Sequence, residues 1–148
     1  MSRSTPRKSR KSSIYRHIEN ITLWVMDISG KTPKVEPFIS QTKRVTDELE
    51  NALATCQYAD DEKVLEEKMK LINIMCYHLT SAKVVIRLWH QYSLRHTEIR
   101  KIIDEKQISF YLVECARLGL KINSWRNHVL YRISREEKSN EINQGGND

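Results

Sequence analysis

The stretch QISFYLVECARLGLKINSWRNHVLYRISR, residues 107–135, decides the fold. When it is plotted as a helix at about 100° per residue, its residues separate into distinct stripes. One stripe is apolar and recurs at alternating steps of three and four, the pattern of a helix that packs into a core: Ile108, Tyr111, Cys115, Leu118, Ile122, Trp125, Val129 and Ile133. The pattern predicts a long core helix.

A second stripe on the same helix is basic. Its members lie about 100° around the helix from the apolar stripe: Arg117, Lys121, His128, Arg132 and Arg135. No Asp or Glu occurs from Ala116 to Arg135, whereas ordinary surface helices mix acidic and basic residues. Basic residues on a helix usually form a solvated surface, but the missing acids favour contact with an anionic partner.

A third face of this helix carries further apolar residues that belong to neither stripe. Its main members are Leu112, Ala116, Leu120 and Leu130. Extra apolar breadth on a bundle helix indicates either a wide core or a subunit interface. We predict a subunit interface, because this helix already has a complete core stripe.

Three earlier segments show the same three-four periodicity, and few residues are Gly or Pro. The first predicted helix begins at Ser12 or Ser13 and ends at a Gly30 cap, and the second runs from Phe38 to near Tyr58. The third is capped by Asp60 or Asp61 and ends near Tyr92 or Leu94. The last is capped by Asp104. Residues 95–103 are expected to be a loop with a helical turn. The sequence therefore predicts an all-α, antiparallel up-down-up-down four-helix bundle over residues 14–135.

Polar tails flank the predicted bundle. Residues 1–13, MSRSTPRKSRKSS, are basic and contain no large apolar residue after Met1, so we expect a disordered tail. Its charges, including Arg7, Lys8, Arg10 and Lys11, form either a nucleic-acid-binding arm or a solubilising tail. Residues 136–148 are polar and are expected to fray.

The composition favours one class of partner. The net charge of +6 and the pI of about 9.3 suit an anionic partner, nucleic acid first. Five positive charges precede Ser13, which leaves a net charge of +1 for the rest of the chain. A basic face there must therefore arise because basic and acidic residues lie on different surfaces. No apolar stretch approaches a membrane span and no signal peptide is evident, so we expect a cytoplasmic protein without membrane contact.

Catalytic and metal-binding patterns find no support in the sequence. No His has a Glu three residues before it, as a di-metal bundle requires, and no CxxC pair suggests zinc. The phosphate-binding glycine motifs and the GxSxG elbow do not occur. Three cysteines on core stripes are best explained as buried free thiols. We expect no enzyme activity, no metal and no cofactor.

The last predicted helix carries Gly119-Leu-Lys-Ile-Asn-Ser-Trp125, and the third carries Ala82-Lys-Val-Val-Ile-Arg-Leu-Trp89. In these motifs the chain resembles a family of small bacterial four-helix bundles that contains Avd, the accessory protein of diversity-generating retroelements, and proteins encoded in intervening sequences of 23S ribosomal RNA genes. The resemblance covers roughly residues 14–130. Asn123 stands where the family has a second glycine, and Arg117 where an acid often precedes the first.

The resemblance implies a non-catalytic homopentamer that binds RNA or DNA and partners a reverse transcriptase in error-prone cDNA synthesis. It implies Arg117, Lys121, Arg126, Arg132 and Arg135 as contacts for nucleic acid. The alternative function is a protein–protein scaffold of the same fold with no nucleic-acid role.

Overall fold

The computed structural model describes residues 11–101 and 103–145, and within them it contains helices and no strand. The helices are α1 (Ser13–Lys31), α2 (Phe38–Asp61), α3 (Leu65–Arg95), the single turn α4 (Thr97–Arg100) and α5 (Glu105–Gly145). The predicted all-α four-helix bundle is confirmed, with α1, α2, α3 and α5 as its members. Arg7, Lys8, Arg10 and most of the predicted disordered tail lie outside the described residues.

The four long helices pack in a closed order, in which α1 contacts α2 and α5, and α3 contacts α2 and α5. Each helix contributes fully buried side chains to one shared core, among them Val25, Leu49, Ile86 and Ile108. The indole nitrogen Nε1 of the buried Trp89 donates a hydrogen bond of 2.9 Å to Oε1 of Gln41. The polar atom of this large core side chain on α3 therefore has its hydrogen-bond partner on α2.

The predicted apolar stripe of α5 is the one that enters the core. Four of its members are buried, namely Ile108, Leu118, Ile122 and Val129, and the other four are half-buried and pack against the core: Tyr111, Cys115, Trp125 and Ile133. The ring of Tyr111 stacks on that of Trp24 from α1. This stripe therefore fixes how α5 is rotated within the bundle.

Two helix ends were predicted correctly from their capping residues. The Ser12 side chain accepts a hydrogen bond of 3.1 Å from the backbone N–H of Tyr15, and Asp104 Oδ1 accepts one of 2.9 Å from the backbone N–H of Lys106. Each side chain satisfies an N–H group that the first turn of a helix leaves without a partner. The helical turn expected after α3 is also present, as α4.

Two other predicted ends are wrong. Gly30 lies inside α1 without a positive φ, and the helix ends one residue later, where the Thr32 hydroxyl donates 2.8 Å to the Ser29 carbonyl. Asp60 and Asp61 belong to α2 rather than capping α3. Glu62 instead accepts hydrogen bonds from the backbone N–H groups of the next two residues, which shapes the turn before α3.

Helix α5 continues to Gly145, ten residues beyond the predicted end of the bundle at Arg135, and the fraying expected for residues 136–148 stays a prediction. Every residue from 134 to 143 is exposed. At about 1.5 Å per residue, α5 is roughly 60 Å long, and its last turns have no packing partner among the described residues. We call residues 134–145 the α5 extension.

Helix α3 departs from the expectation that no segment approaches a membrane span. By length and composition alone, this helix is apolar enough to cross a membrane, because an 18-residue stretch of it has a mean hydropathy of 1.2. A core helix of a bundle passes the same test, and α3 supplies the buried Ile72, Met75 and Ile86. The property is therefore weak evidence for membrane contact.

Candidate nucleic-acid interface

The basic stripe of α5 is exposed, as the sequence predicts. Lys121, His128, Arg132 and Arg135 all lie on the solvent side of the helix. None of them forms an ion pair with a carboxylate among the described residues, where the ion pairs involve other cations. We call the lysine and the two arginines of this set, Lys121, Arg132 and Arg135, the basic row.

Arg117 differs from the basic row, although the sequence places it on the same stripe. Its Nη1 atom lies 3.2 Å from Oε2 of Glu114, one turn earlier on α5. The carboxylate offsets the charge that Arg117 offers to an anion. Arg117 is therefore a weaker candidate contact than its position on the stripe suggests.

Glu114 also faces His17 of α1, whose Nε2 atom lies 3.7 Å from Oε1 of Glu114. Both ring nitrogens of His17 are buried without a hydrogen-bond partner. Burial lowers the pKa of His17, the nearby charge of Lys121 lowers it further, and Glu114 opposes the shift. His17 is therefore neutral at physiological pH and adds no charge to the surface.

The start of α1 lies next to the basic row. Lys121 Nζ lies 3.4 Å from the Ser13 hydroxyl oxygen at the start of α1. Lys11, the first described residue, forms an ion pair of 2.8 Å with Glu19 on α1. Ser13 therefore lies next to the basic row, and Glu19 partly offsets the charge of Lys11.

A shallow depression lies between the start of α1 and α5. Its lining includes Lys121, Trp125, His128 and the acidic Asp60. Burial is the main cause that raises the pKa of Asp60, while Ser12 and Lys68 lower it. Lys68 Nζ donates 2.8 Å to the Ala59 carbonyl and lies 5.9 Å from the centre of the Trp125 ring. Lys68 is engaged inside the bundle and is not part of the basic row.

Arg126 lies on the opposite side of α5 from the basic row. It is half-buried, and its charge lowers the pKa of Cys76, a residue of α3. Its Nε atom is buried without a hydrogen-bond partner. The resemblance implies Arg126 as a nucleic-acid contact, but the structure places it against α3, away from Lys121.

The predicted subunit interface is exposed except for one member. Leu120 is 72% exposed and Leu130 49% exposed, and Ala116 also faces solvent. Leu112 is half-buried and packs against the core, so it belongs to the edge of the bundle rather than to the exposed face. The prediction of Leu112 as an interface residue needs this correction.

Helix α3 adds exposed apolar side chains that the sequence analysis did not identify. Tyr77, Val84 and Leu88 project outward from it, each about half exposed or more. The core periodicity of α3 does not report these side chains, because they lie on the outward face of the helix. The sequence does carry a signal for this face. Helix α3 has no charged residue between Lys70 and Arg87 other than Lys83.

The described residues offer little for nucleophilic or metal chemistry. Cys56, Cys76 and Cys115 are free thiols. Burial raises the pKa of all three, that of Cys56 to about 12 with the charge of Asp60 as the next cause, so they stay protonated at neutral pH. No group of three or more His, Cys, Asp or Glu in the described part of the chain is placed to hold a metal ion.

These features define the class as a four-helix-bundle protein with a basic row on its longest helix. Comparison with protein-family models, with curated proteins and with solved structures finds no match for this chain. The similarity to the Avd family therefore rests on the motifs around Gly119 and Trp89, and membership stays a prediction.

Proposed function

We propose that the protein is a non-catalytic nucleic-acid-binding protein that contacts RNA or DNA through the basic row of α5 and through its N-terminal arm. The observation that carries the proposal is the geometry of the basic row. Lys121, Arg132 and Arg135 project from one side of a rigid helix over about 21 Å, without paired carboxylates among the described residues. Cations held in register can neutralise several phosphates at little entropic cost.

The finer role comes from the family resemblance. In that role the protein acts in the cytoplasm as an accessory of a retroelement reverse transcriptase during mutagenic cDNA synthesis, without catalysing a step itself. A reverse-transcriptase gene and a repeat pair beside the gene for this chain support the role, and a neighbourhood that lacks both contradicts it.

Self-association fits the exposed face at Ala116, Leu120 and Leu130, and the resemblance implies a pentamer. Isolated apolar side chains are normal on a protein surface, but a row on one helix face indicates a contact. An oligomer repeats the basic row in each subunit, which strengthens binding to one long polyanion. A mass near 17.5 kDa by light scattering at micromolar concentration contradicts this part of the proposal.

Fluorescence anisotropy with a labelled RNA hairpin and a labelled DNA duplex tests the binding proposal. The full chain should bind both, with little sequence preference and with affinity that falls steeply between about 50 and 200 mM KCl. A chain that lacks residues 1–10 should bind more weakly and with a shallower salt dependence, but it should still bind. An affinity that does not change with salt contradicts the proposal.

The scaffold function remains the second candidate, and the exposed apolar residues Tyr77, Val84 and Leu88 of α3 favour it. They form a surface suited to a protein partner rather than to phosphates. The same anisotropy experiment separates the two functions, because a scaffold shows no saturable binding at any salt concentration.

A further inference from the structure

A cavity of about 170 Å³ opens between α3 and α5, on the side of the bundle away from the basic row, and Ile21 of α1 and Leu49 of α2 also line it. Its walls are mainly apolar and include Leu79, Ile86, Leu118 and Ile122. Gly119 also lines it, and a Cβ atom built at Gly119 meets no atom within 4 Å. An apolar cavity of about 150 Å³ in a helical protein holds benzene, so this one has room for an aromatic ring or a short alkyl chain.

The polar residues at this cavity are cationic or neutral. Lys83 lines it together with Thr80 and Asn123, and Arg87 follows Lys83 one turn later on α3. Burial raises the pKa of the Cys115 thiol in the cavity wall, whereas the charges of Lys83 and Arg87 lower it and that of Glu114 raises it. Neither cation has a carboxylate partner within ion-pair distance in the part of the chain that the structure describes.

The acid near this wall, Glu114, is already engaged, because its carboxylate lies within ion-pair distance of His17 and Arg117. Residues 71–96 of α3 and its C-cap contain no Asp or Glu, and neither do residues 115–135 of α5. Lys83 lines the cavity itself, and Arg87 lies one turn further along α3. An anionic group bound at the cavity would therefore meet positive charge that no carboxylate of the described residues pairs with.

We propose that this cavity binds a small amphiphilic anion, namely the carboxylate of an aromatic or medium-chain aliphatic acid. The apolar part lies among Leu79, Leu118 and Ile122, and the carboxylate lies against Lys83 and Arg87. Ligand sites in helical bundles commonly combine apolar walls with a few polar groups between helices. The site is independent of the proposed nucleic-acid contact, because Lys121 and Arg132 lie on another side of α5.

Isothermal titration calorimetry with sodium octanoate tests the proposal on the full chain. Octanol, which has the chain without the charge, and acetate, which has the charge without the chain, are the matched probes. Octanoate should bind at least about tenfold more tightly than either probe, since octanol lacks the charge-assisted contact and acetate lacks the buried chain, and each contributes about that much or more. Octanoate binding no tighter than acetate overturns the proposal.

Three variants locate the ligand. Gly119→Leu fills the cavity and should abolish octanoate binding, and Asn123→Trp at the exposed mouth should do the same without changing the core. Lys83→Gln should weaken the affinity for octanoate about tenfold and leave the affinity for octanol unchanged. Lys43→Gln, which changes an exposed lysine of α2, is the control and should change neither affinity.

Circular dichroism confirms that each variant folds. Asn123→Trp carries the test if Gly119→Leu does not fold. Wild-type affinity in a folded cavity-filling or mouth variant overturns the proposal. Displacement of octanoate by an RNA duplex also overturns it, because the cations then serve the nucleic acid.

Discussion

The pairing of Arg117 with Glu114 makes a sharp prediction about which cations of α5 bind nucleic acid. Arg117 and Lys121 lie one turn apart on the same stripe, yet Arg117 Nη1 is 3.2 Å from a carboxylate oxygen and Lys121 has no such partner among the described residues. Lys121→Gln should therefore remove a phosphate contact. Arg117→Gln should have a smaller effect, because it also releases Glu114 from an existing ion pair.

The magnitude follows from counterion release. Each phosphate contact contributes about −0.9 to the slope of log K against log salt on duplex DNA. Lys121→Gln should reduce that slope by roughly 0.9, and Lys121→Gln with Arg132→Gln by roughly 1.8, for each protomer in contact. Arg117→Gln should change it by less than half as much as Lys121→Gln.

Fluorescence anisotropy on a labelled DNA duplex over a range of KCl concentrations measures the slopes. Lys43→Gln with Arg44→Gln on α2 is the matched control, since it removes two exposed charges far from α5 in sequence. The control should retain the wild-type slope except for a small general effect of net charge. Equal effects of Arg117→Gln and Lys121→Gln, or a double variant with the wild-type slope, would refute the reasoning.

Further predictions concern assembly, stability and pH. Leu120→Glu should lower the mass measured by light scattering without loss of helicity, because Leu120 is 72% exposed in the protomer. Ile122→Ala should reduce the free energy of unfolding by about 2–5 kcal/mol in urea titrations, as a large-to-small change at a side chain only 4% exposed. Burial and Lys121 lower the pKa of His17, so the unfolded chain binds the proton more readily. Stability should therefore be complete above pH 6.5, the unperturbed value, and fall below it, and His17→Phe should reduce that loss.

The fold could be predicted from sequence because core periodicity is a long-range signal repeated over many turns. All eight members of the α5 stripe are buried or half-buried in the structure. Helix ends depend on a single residue and its local hydrogen bonds, which periodicity does not report. Gly30 resembles a cap in the sequence, but the chain leaves α1 through Thr32 without needing a positive φ.

The candidate site was predictable in part. The exposure of Lys121, Arg132 and Arg135 follows from their angular distance to the core stripe. The neutralisation of Arg117 could have been anticipated from Glu114 three residues earlier, which lies just before the acid-free interval. The cavity between α3 and α5 could not be predicted, because it depends on how two helices fit together rather than on the pattern of either one.

The α5 extension shows how a helix can stay formed where no other described residue packs against it. Starting a helix in water is unfavourable, whereas each further residue adds a hydrogen bond at little cost. The buried part of α5 supplies the nucleus, and residues 134–145 propagate from it. Amide hydrogen exchange should therefore quicken steadily from Val129 towards Gly145, and the position along this gradient where the helix melts decides whether Arg135 stays in register with Lys121 and Arg132.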